Sequence, residues 1–112
     1  MKLLVVGTRT FNDYNILSEE LNKYYNIEEI ITGITGNTDS MAVQYANEKS
    51  IKWKRYVIEK DSLGRTIGYN RNKDMIESSD EIIIFWDGKS CGTKDLIEKA
   101  ESMKRRYNLI KL

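Results

Sequence analysis

The residue types that could do chemistry gather most densely in one stretch, Asp87-Gly88-Lys89-Ser90-Cys91-Gly92-Thr93. Five apolar residues, Ile82 to Trp86, precede it. After it, Leu96, Ile97, Ala100 and Met103 recur at helical spacing, which predicts a helix from near Thr93. A strand that runs through a glycine-bearing turn into a helix N-terminus is a geometry for holding an anion. The turn exposes backbone N–H groups, Gly88 and Gly92 let a ligand come close, and the helix dipole favours negative charge.

Three more polar clusters stand in related places. Gly7-Thr8-Arg9-Thr10 follows the apolar run Leu3 to Val6. Gly33 to Ser40, with Gly36 and Asp39, follows Ile27 to Thr32. Asn70-Arg71-Asn72-Lys73 precedes the apolar run at Ile82. Each alone has a plain structural reading as a turn, a connection or a solvated helix face. Their shared position adds weight, because three of the four leave the carboxyl ends of strands, and in a parallel sheet those ends converge on one rim. Single residues carry two readings each. Trp86 can stack on a base or fill a core. Asp87 can accept a ribose hydroxyl or end a strand. Cys91 can be a nucleophile at a helix N-terminus or an incidental small residue. There is no histidine, so proton chemistry falls to Asp, Glu, Lys, Tyr or Cys.

Two motifs are excluded. Gly88-Lys89-Ser90 resembles the end of a P-loop, but the glycine required five residues earlier is Ile83. No Gly-x-Gly-x-x-Gly follows the first apolar run, so the dinucleotide fingerprint is missing.

The elements that must position these clusters alternate. Leu3 to Val6 reads as a strand. Tyr14, Leu17, Leu21 and Tyr24 read as a helix capped by Asn12 or Asp13. Ile27 to Thr32 reads as a second strand, and Met41, Ala42, Tyr45 and Ala46 as one face of a second helix. Ile51 to Ile58 alternates apolar and charged residues, as a strand near a sheet edge does. Asp61 to Arg65, with Gly64, reads as a polar loop. A helix carrying Tyr69, Arg71, Met75 and Ile76 leads to the central strand, and Leu109 to Leu112 closes the chain as a last strand. Lys104-Arg105-Arg106 reads as a basic cap and solvent face at the end of the helix before it. The predicted fold is one α/β domain over residues 1–112. It is a Rossmann-like three-layer sandwich with a mainly parallel sheet of about five strands and helices on both faces.

Composition narrows the class. The chain has 112 residues, 31% charged and 40% apolar, which suits a single globular core. Its net charge of +1 argues against a general nucleic-acid binder. One cysteine rules out an internal disulfide framework and a cysteine-rich zinc site, and no metal or cofactor is expected. No run approaches the roughly 20 apolar residues of a membrane span, and MKLLVV is too short for a signal peptide, so a cytoplasmic protein is expected (host cytosol if viral).

Gly7-Thr8-Arg9-Thr10-Phe11, Thr38-Asp39-Ser40-Met41-Ala42 with Tyr45-Ala46, Asn70-Arg71-Asn72 with Met75, and Trp86-Asp87-Gly88-Lys89-Ser90 with Gly92-Thr93 occur in an order that resembles the small SLOG-superfamily proteins of the YspA or DUF2493 type. The resemblance covers nearly the whole chain. Where that family commonly has Gly-Gly-Ala-Arg-Gly-Ala-Asp, this chain has Thr32-Gly33-Ile34-Thr35-Gly36-Asn37-Thr38-Asp39. The wider superfamily includes LOG phosphoribohydrolases, which cut the bond between a base and ribose 5-phosphate. Their Arg-Lys-x-x-Met helix and Pro-Gly-Gly-x-Gly-Thr-x-Glu-Glu turn are matched by Arg71, by Gly88 and Gly92-Thr93, and by Asp95 at the first glutamate; the Pro-Gly pair is missing and Leu96 replaces the second acid.

The resemblance implies a nucleotide site built from Gly7, Thr8, Arg9, Thr10, Gly33, Gly36, Asp39, Asn70, Arg71, Asn72, Trp86, Asp87, Gly88, Lys89, Ser90, Gly92 and Thr93. Three functions remain open. The chain binds a nucleotide-derived ligand, such as an ADP-ribose derivative used in defence signalling, and senses or sequesters it. Alternatively it is a LOG-like hydrolase with Arg71 and Asp95 as catalytic residues, or an oligomeric scaffold with a vestigial pocket. Dimers are common among the LOG relatives, so a homo-oligomer is expected.

Overall fold

The apolar runs of the sequence become the strands of one sheet. A computed structural model of the chain describes residues 1–33, 36–56, 63 and 71–112. Among these, β1 (Lys2–Gly7), α1 (Tyr14–Leu21), β2 (Glu29–Thr32), α2 (Asn37–Glu48), β3 (Lys52–Arg55), α3 (Arg71–Glu77), β4 (Glu81–Trp86), α4 (Cys91–Ser102) and β5 (Asn108–Lys111) follow in order. All four strand pairings are parallel, and the order across the sheet is β3-β2-β1-β4-β5. The fold is therefore α/β and Rossmann-like, and among the described residues every strand pairing is parallel.

Central strands of such a sheet are covered on both faces, so their side chains must be apolar throughout. In β4, Ile82, Ile83, Ile84 and Phe85 are all fully buried, as are Leu3, Leu4 and Val5 of β1. The pleat splits these residues alternately. Leu3, Val5, Ile30, Ile83 and Phe85 pack with Leu17 and Leu21 of α1 and Ala42, Tyr45 and Ala46 of α2. Leu4, Val6, Ile31, Ile82 and Ile84 pack instead with Met75 and Ile76 of α3 and Leu96, Ile97 and Ala100 of α4. The alternating segment at Ile51 supplies β3, an edge strand with Lys52, Trp53 and Lys54 exposed. Its expected continuation through Val57 and Ile58 lies outside the described residues, as do the loop at Gly64, Ile34, Thr35, Tyr69 and Asn70.

Helix ends follow local chemistry. Asp13, one of the two expected caps, accepts a hydrogen bond from the Ile16 N–H at 3.2 Å. α1 stops at Leu21, so Tyr24 lies beyond it. α4 begins at Cys91, two residues before Thr93, with Ser90 as its N-cap. The basic run after α4 acts differently from expectation. Lys104 takes φ +57°, which turns the chain. The Arg105 guanidinium then donates to the carbonyls of Ile76 (2.8 Å) and Ser79, so it caps the end of α3 rather than its own helix. Among the described residues, no helix is long and apolar enough to cross a membrane.

The strand order reverses direction between β1 and β4. In open α/β sheets that switch point leaves a crevice outside the carboxyl ends of the strands, because the connections from the two strands diverge to opposite faces.

Candidate functional site

A cleft of about 400 Å³ occupies this crevice. Its walls come from the predicted places. Val6, Gly7, Thr8, Arg9 and Thr10 arrive from β1, Gly33 from β2, and Asp39 from α2. Arg71 and Asn72 arrive from α3, and Asp87, Ser90, Cys91, Gly92, Thr93 and Leu96 from the β4–α4 turn and helix. The clusters named from sequence thus converge on one rim.

The floor is held by backbone contacts that leave no room for larger residues. The Thr8 N–H donates to Phe85 O at 2.9 Å, stitching the β1 loop to β4. A Cβ on Gly7 would meet Phe85 O at 2.6 Å, Phe85 Cβ at 2.9 Å and Thr38 Cγ2 at 2.9 Å. Gly7 is glycine because three neighbours close on it. The α2 N-terminus docks on the same loop: Thr38 Oγ1 donates to Thr8 O at 2.8 Å, and the Asn37 N–H to Arg9 O at 3.0 Å. Gly36 packs against the Arg9 backbone, where a Cβ would meet Arg9 Cα at 2.6 Å.

The β4–α4 turn satisfies its own polar groups. Asp87 Oδ1 accepts from the N–H groups of Lys89 (2.8 Å) and Ser90 (2.9 Å), and Ser90 Oγ donates to Asp87 Oδ2 at 3.2 Å. These donors, led by the Lys89 and Ser90 amides, hold the Asp87 carboxyl below the usual carboxylate range. The buried Thr8 hydroxyl accepts from the Asp87 N–H at 3.1 Å, which ties the turn to β1. Gly88 takes φ +82° to make the turn. Ser90 makes no side-chain cap bond to α4, so the first-turn N–H groups of that helix face the cleft end without a side-chain acceptor from their own cap.

The opposite wall is built around Arg71. Its guanidinium lies over Gly33, where a Cβ would come within 2.7 Å of Nη1 and 3.0 Å of Asp39 Oδ2. Nη1 is buried, and among the described residues it has no hydrogen-bond partner. Buried Asp39 is itself engaged: the Thr32 hydroxyl stands 2.8 Å from its Oδ1 and 2.6 Å from Val5 O.

Several named residues stand elsewhere. Trp86 packs against the α3–α4 side of the core and donates from Nε1 to Ser90 O at 3.2 Å, so it braces the turn rather than lining the cleft. Gly36, Gly88 and exposed Lys89 shape the surroundings without lining it, and Asn70 lies outside the described residues. Asp95 is not a lining residue either. Its carboxylate accepts from Asn72 Nδ2 at 2.8 Å and from Lys99 Nζ at 2.7 and 2.9 Å. Burial opposes its ionisation, but the bonds from Lys99 and Asn72 prevail and hold it below the usual carboxylate range. Sequence reasoning left out Val6 and Leu96, which line the cleft; they read only as core because an apolar residue at a strand or helix end carries the same signal in either role. Cys91, read as incidental or nucleophilic, is exposed at the mouth.

Set against family models, curated proteins and solved structures, the chain matches none of them.

Proposed function

We propose that the rim cleft binds a nucleotide or nucleotide-derived ligand, such as an ADP-ribose derivative, and that the chain senses or sequesters it in the cytoplasm without turning it over. The observation that carries this is the buried Arg71 Nη1 with no hydrogen-bond partner among the described residues, on a residue that lines a cleft at the switch point of the sheet. An unmet buried donor costs about 1–3 kcal/mol, more when charged. An anion on the ligand removes that cost. The start of α4, with Gly92 and Thr93 lining the cleft, adds N–H groups and the positive end of a dipole. Val6 and Leu96 supply apolar surface, and Asp39 and Asn72 supply polar groups. Anion, polyol and flat apolar ring in one molecule match that mixture. The volume suits such a ligand, since small-molecule sites run roughly 300–1,000 Å³.

Binding is favoured over hydrolysis because the one carboxylate aligned with a LOG-like acid, Asp95, is committed to Asn72 and Lys99. We also propose a homo-oligomer, since β3 and β5 leave two sheet edges at which chains can pair. A single monomeric species in sedimentation would contradict that part alone.

The test is chromatography of a nucleotide panel incubated with pure protein, run before and after heating. The panel holds nucleoside monophosphates, ADP-ribose and its cyclic forms, and cyclic di- and trinucleotides. A compound that leaves the free pool and returns unchanged on heating supports the proposal. New free base before heating, or a panel untouched throughout, contradicts it.

A further inference from the structure

We infer that Asn72 reads a sugar hydroxyl of the ligand through its side-chain carbonyl, and that Asp95 and Lys99 are positioning residues that fix the amide in that orientation. This rests on the nucleotide reading above and gives the cleft its specificity.

A side-chain amide has a donor end and an acceptor end. Asn72 Nδ2 stands 2.8 Å from Asp95 Oδ2. The same carboxylate receives the Lys99 ammonium on both oxygens, at 2.9 and 2.7 Å. A carboxylate that already holds an ammonium only accepts, so the amide must turn its NH₂ toward it. That choice leaves Oδ1 at the other end. Among the described residues nothing donates to Oδ1, and Asn72 lines the cleft directly after Arg71 at the start of α3.

Adjacent residues therefore offer opposite chemistry. Arg71 offers donors and calls for an anion. Asn72 offers an acceptor, which repels a bare phosphate oxygen and needs a donor. A ribosyl phosphate carries both, the anion and the hydroxyl, within one residue's reach of each other. An exocyclic amino group on a base has the same donor chemistry, so the test separates the two. Asp95 acts through Asn72 in this scheme, and a neutral amide at position 95 still has an oxygen to accept from Nδ2.

The experiment has two arms. In the ligand-free protein, NMR follows solvent exchange of the Asn72 side-chain amide protons. Exchange is expected to be roughly 2- to 10-fold faster in Asp95→Leu, and near wild type in Asp95→Asn. Equal exchange in wild type and Asp95→Leu would overturn the positioning role. In the second arm, equilibrium dialysis compares AMP with 2′-deoxy-AMP, 3′-deoxy-AMP and IMP. Wild type is expected to prefer AMP over one deoxy form by roughly 2- to 10-fold and to hold IMP as well as AMP. The preference should vanish in Asn72→Ala and in Asp95→Leu and persist in Asp95→Asn. A preference between AMP and IMP with none among the sugars would overturn the hydroxyl assignment in favour of a base reader. Equal retention of all four, still lost in Arg71→Ala, would overturn this inference and leave the nucleotide reading standing. No retention of any panel nucleotide by wild type would overturn both.

Discussion

The two walls of the cleft are built on opposite terms. The β4–α4 turn closes on itself: Asp87 takes the amides of Lys89 and Ser90, Thr8 takes the amide of Asp87, and Trp86 donates to Ser90 O. At the start of α3, a buried guanidinium nitrogen has no partner among the described residues. One wall has used its side-chain polar groups to hold its shape and leaves helix-start amides at the cleft. The other leaves a buried side-chain donor unmet. A fold selected only for stability would satisfy both, because an orphaned buried donor is among the costlier features a small domain can carry. The contrast therefore separates frame from contact, and substitutions on the two walls should fail in different ways.

The largest expected effect is on the frame. Gly7→Val would drive new atoms into Phe85 and Thr38, where even a Cβ has contacts of 2.6 to 2.9 Å. It should cost about 3 kcal/mol in urea unfolding, with any loss of binding following from loss of fold. Arg105→Ala comes next. It removes the donor that caps Ile76 and Ser79 carbonyls at the far end of α3, and should cost about 1.5–3 kcal/mol by the same measurement.

Acid should act on the turn. The Asp87 carboxyl is held below its usual range by the Lys89 and Ser90 amides, so its stabilising contribution is present above about pH 4 and is lost as pH falls through the lowered folded value. Wild type should be more stable than Asp87→Ala at neutral pH, and acid titration of both should show the gap closing below about pH 4. A gap that stays constant with pH would mean the carboxylate is not what orders the turn.

The smallest stability effect is expected at Gly92, where an added Cβ meets nothing within 4 Å. Gly92→Ala should leave stability unchanged or raise it by up to about 1 kcal/mol, since alanine suits a helix better. If nucleotide retention still falls, glycine is there for the ligand. That outcome would set Gly92 against Gly7, which is glycine for the fold.

Much of this organisation was legible in the sequence, and the failures have physical causes. Ile82 to Phe85 reads as a doubly covered strand because no polar residue interrupts it, and it lies at the centre of the sheet. Convergence of the glycine-bearing loops followed from parallel strands alone. What sequence could not supply was contact across elements. Asp95 aligned with a catalytic acid, yet its bond to Asn72 depends on how α3 packs on α4, which no spacing encodes. The Lys99 half of that network was visible in principle, being four residues on along one helix. Arg105 was assigned to its own helix because the turn at Lys104, which carries it to α3, is set by a positive φ that a lysine does not announce. Trp86 illustrates the ambiguity of a strand-end aromatic: the same residue type serves a ligand or a brace, and here its indole N–H goes to Ser90 O.

The central claim is that Arg71 is kept unsatisfied for a ligand. Thermal unfolding of wild type and Arg71→Leu, each with and without whichever panel nucleotide wild type retains, tests it directly. Without ligand the variant should be more stable, by about 1 kcal/mol, because a buried N–H donor without a hydrogen-bond partner has gone. With nucleotide at about 100 times its dissociation constant, wild type should gain about 2.7 kcal/mol and the variant little, so that their order reverses. If Arg71→Leu is less stable without ligand, or gains as much as wild type with it, the guanidinium is part of the frame and the account is wrong.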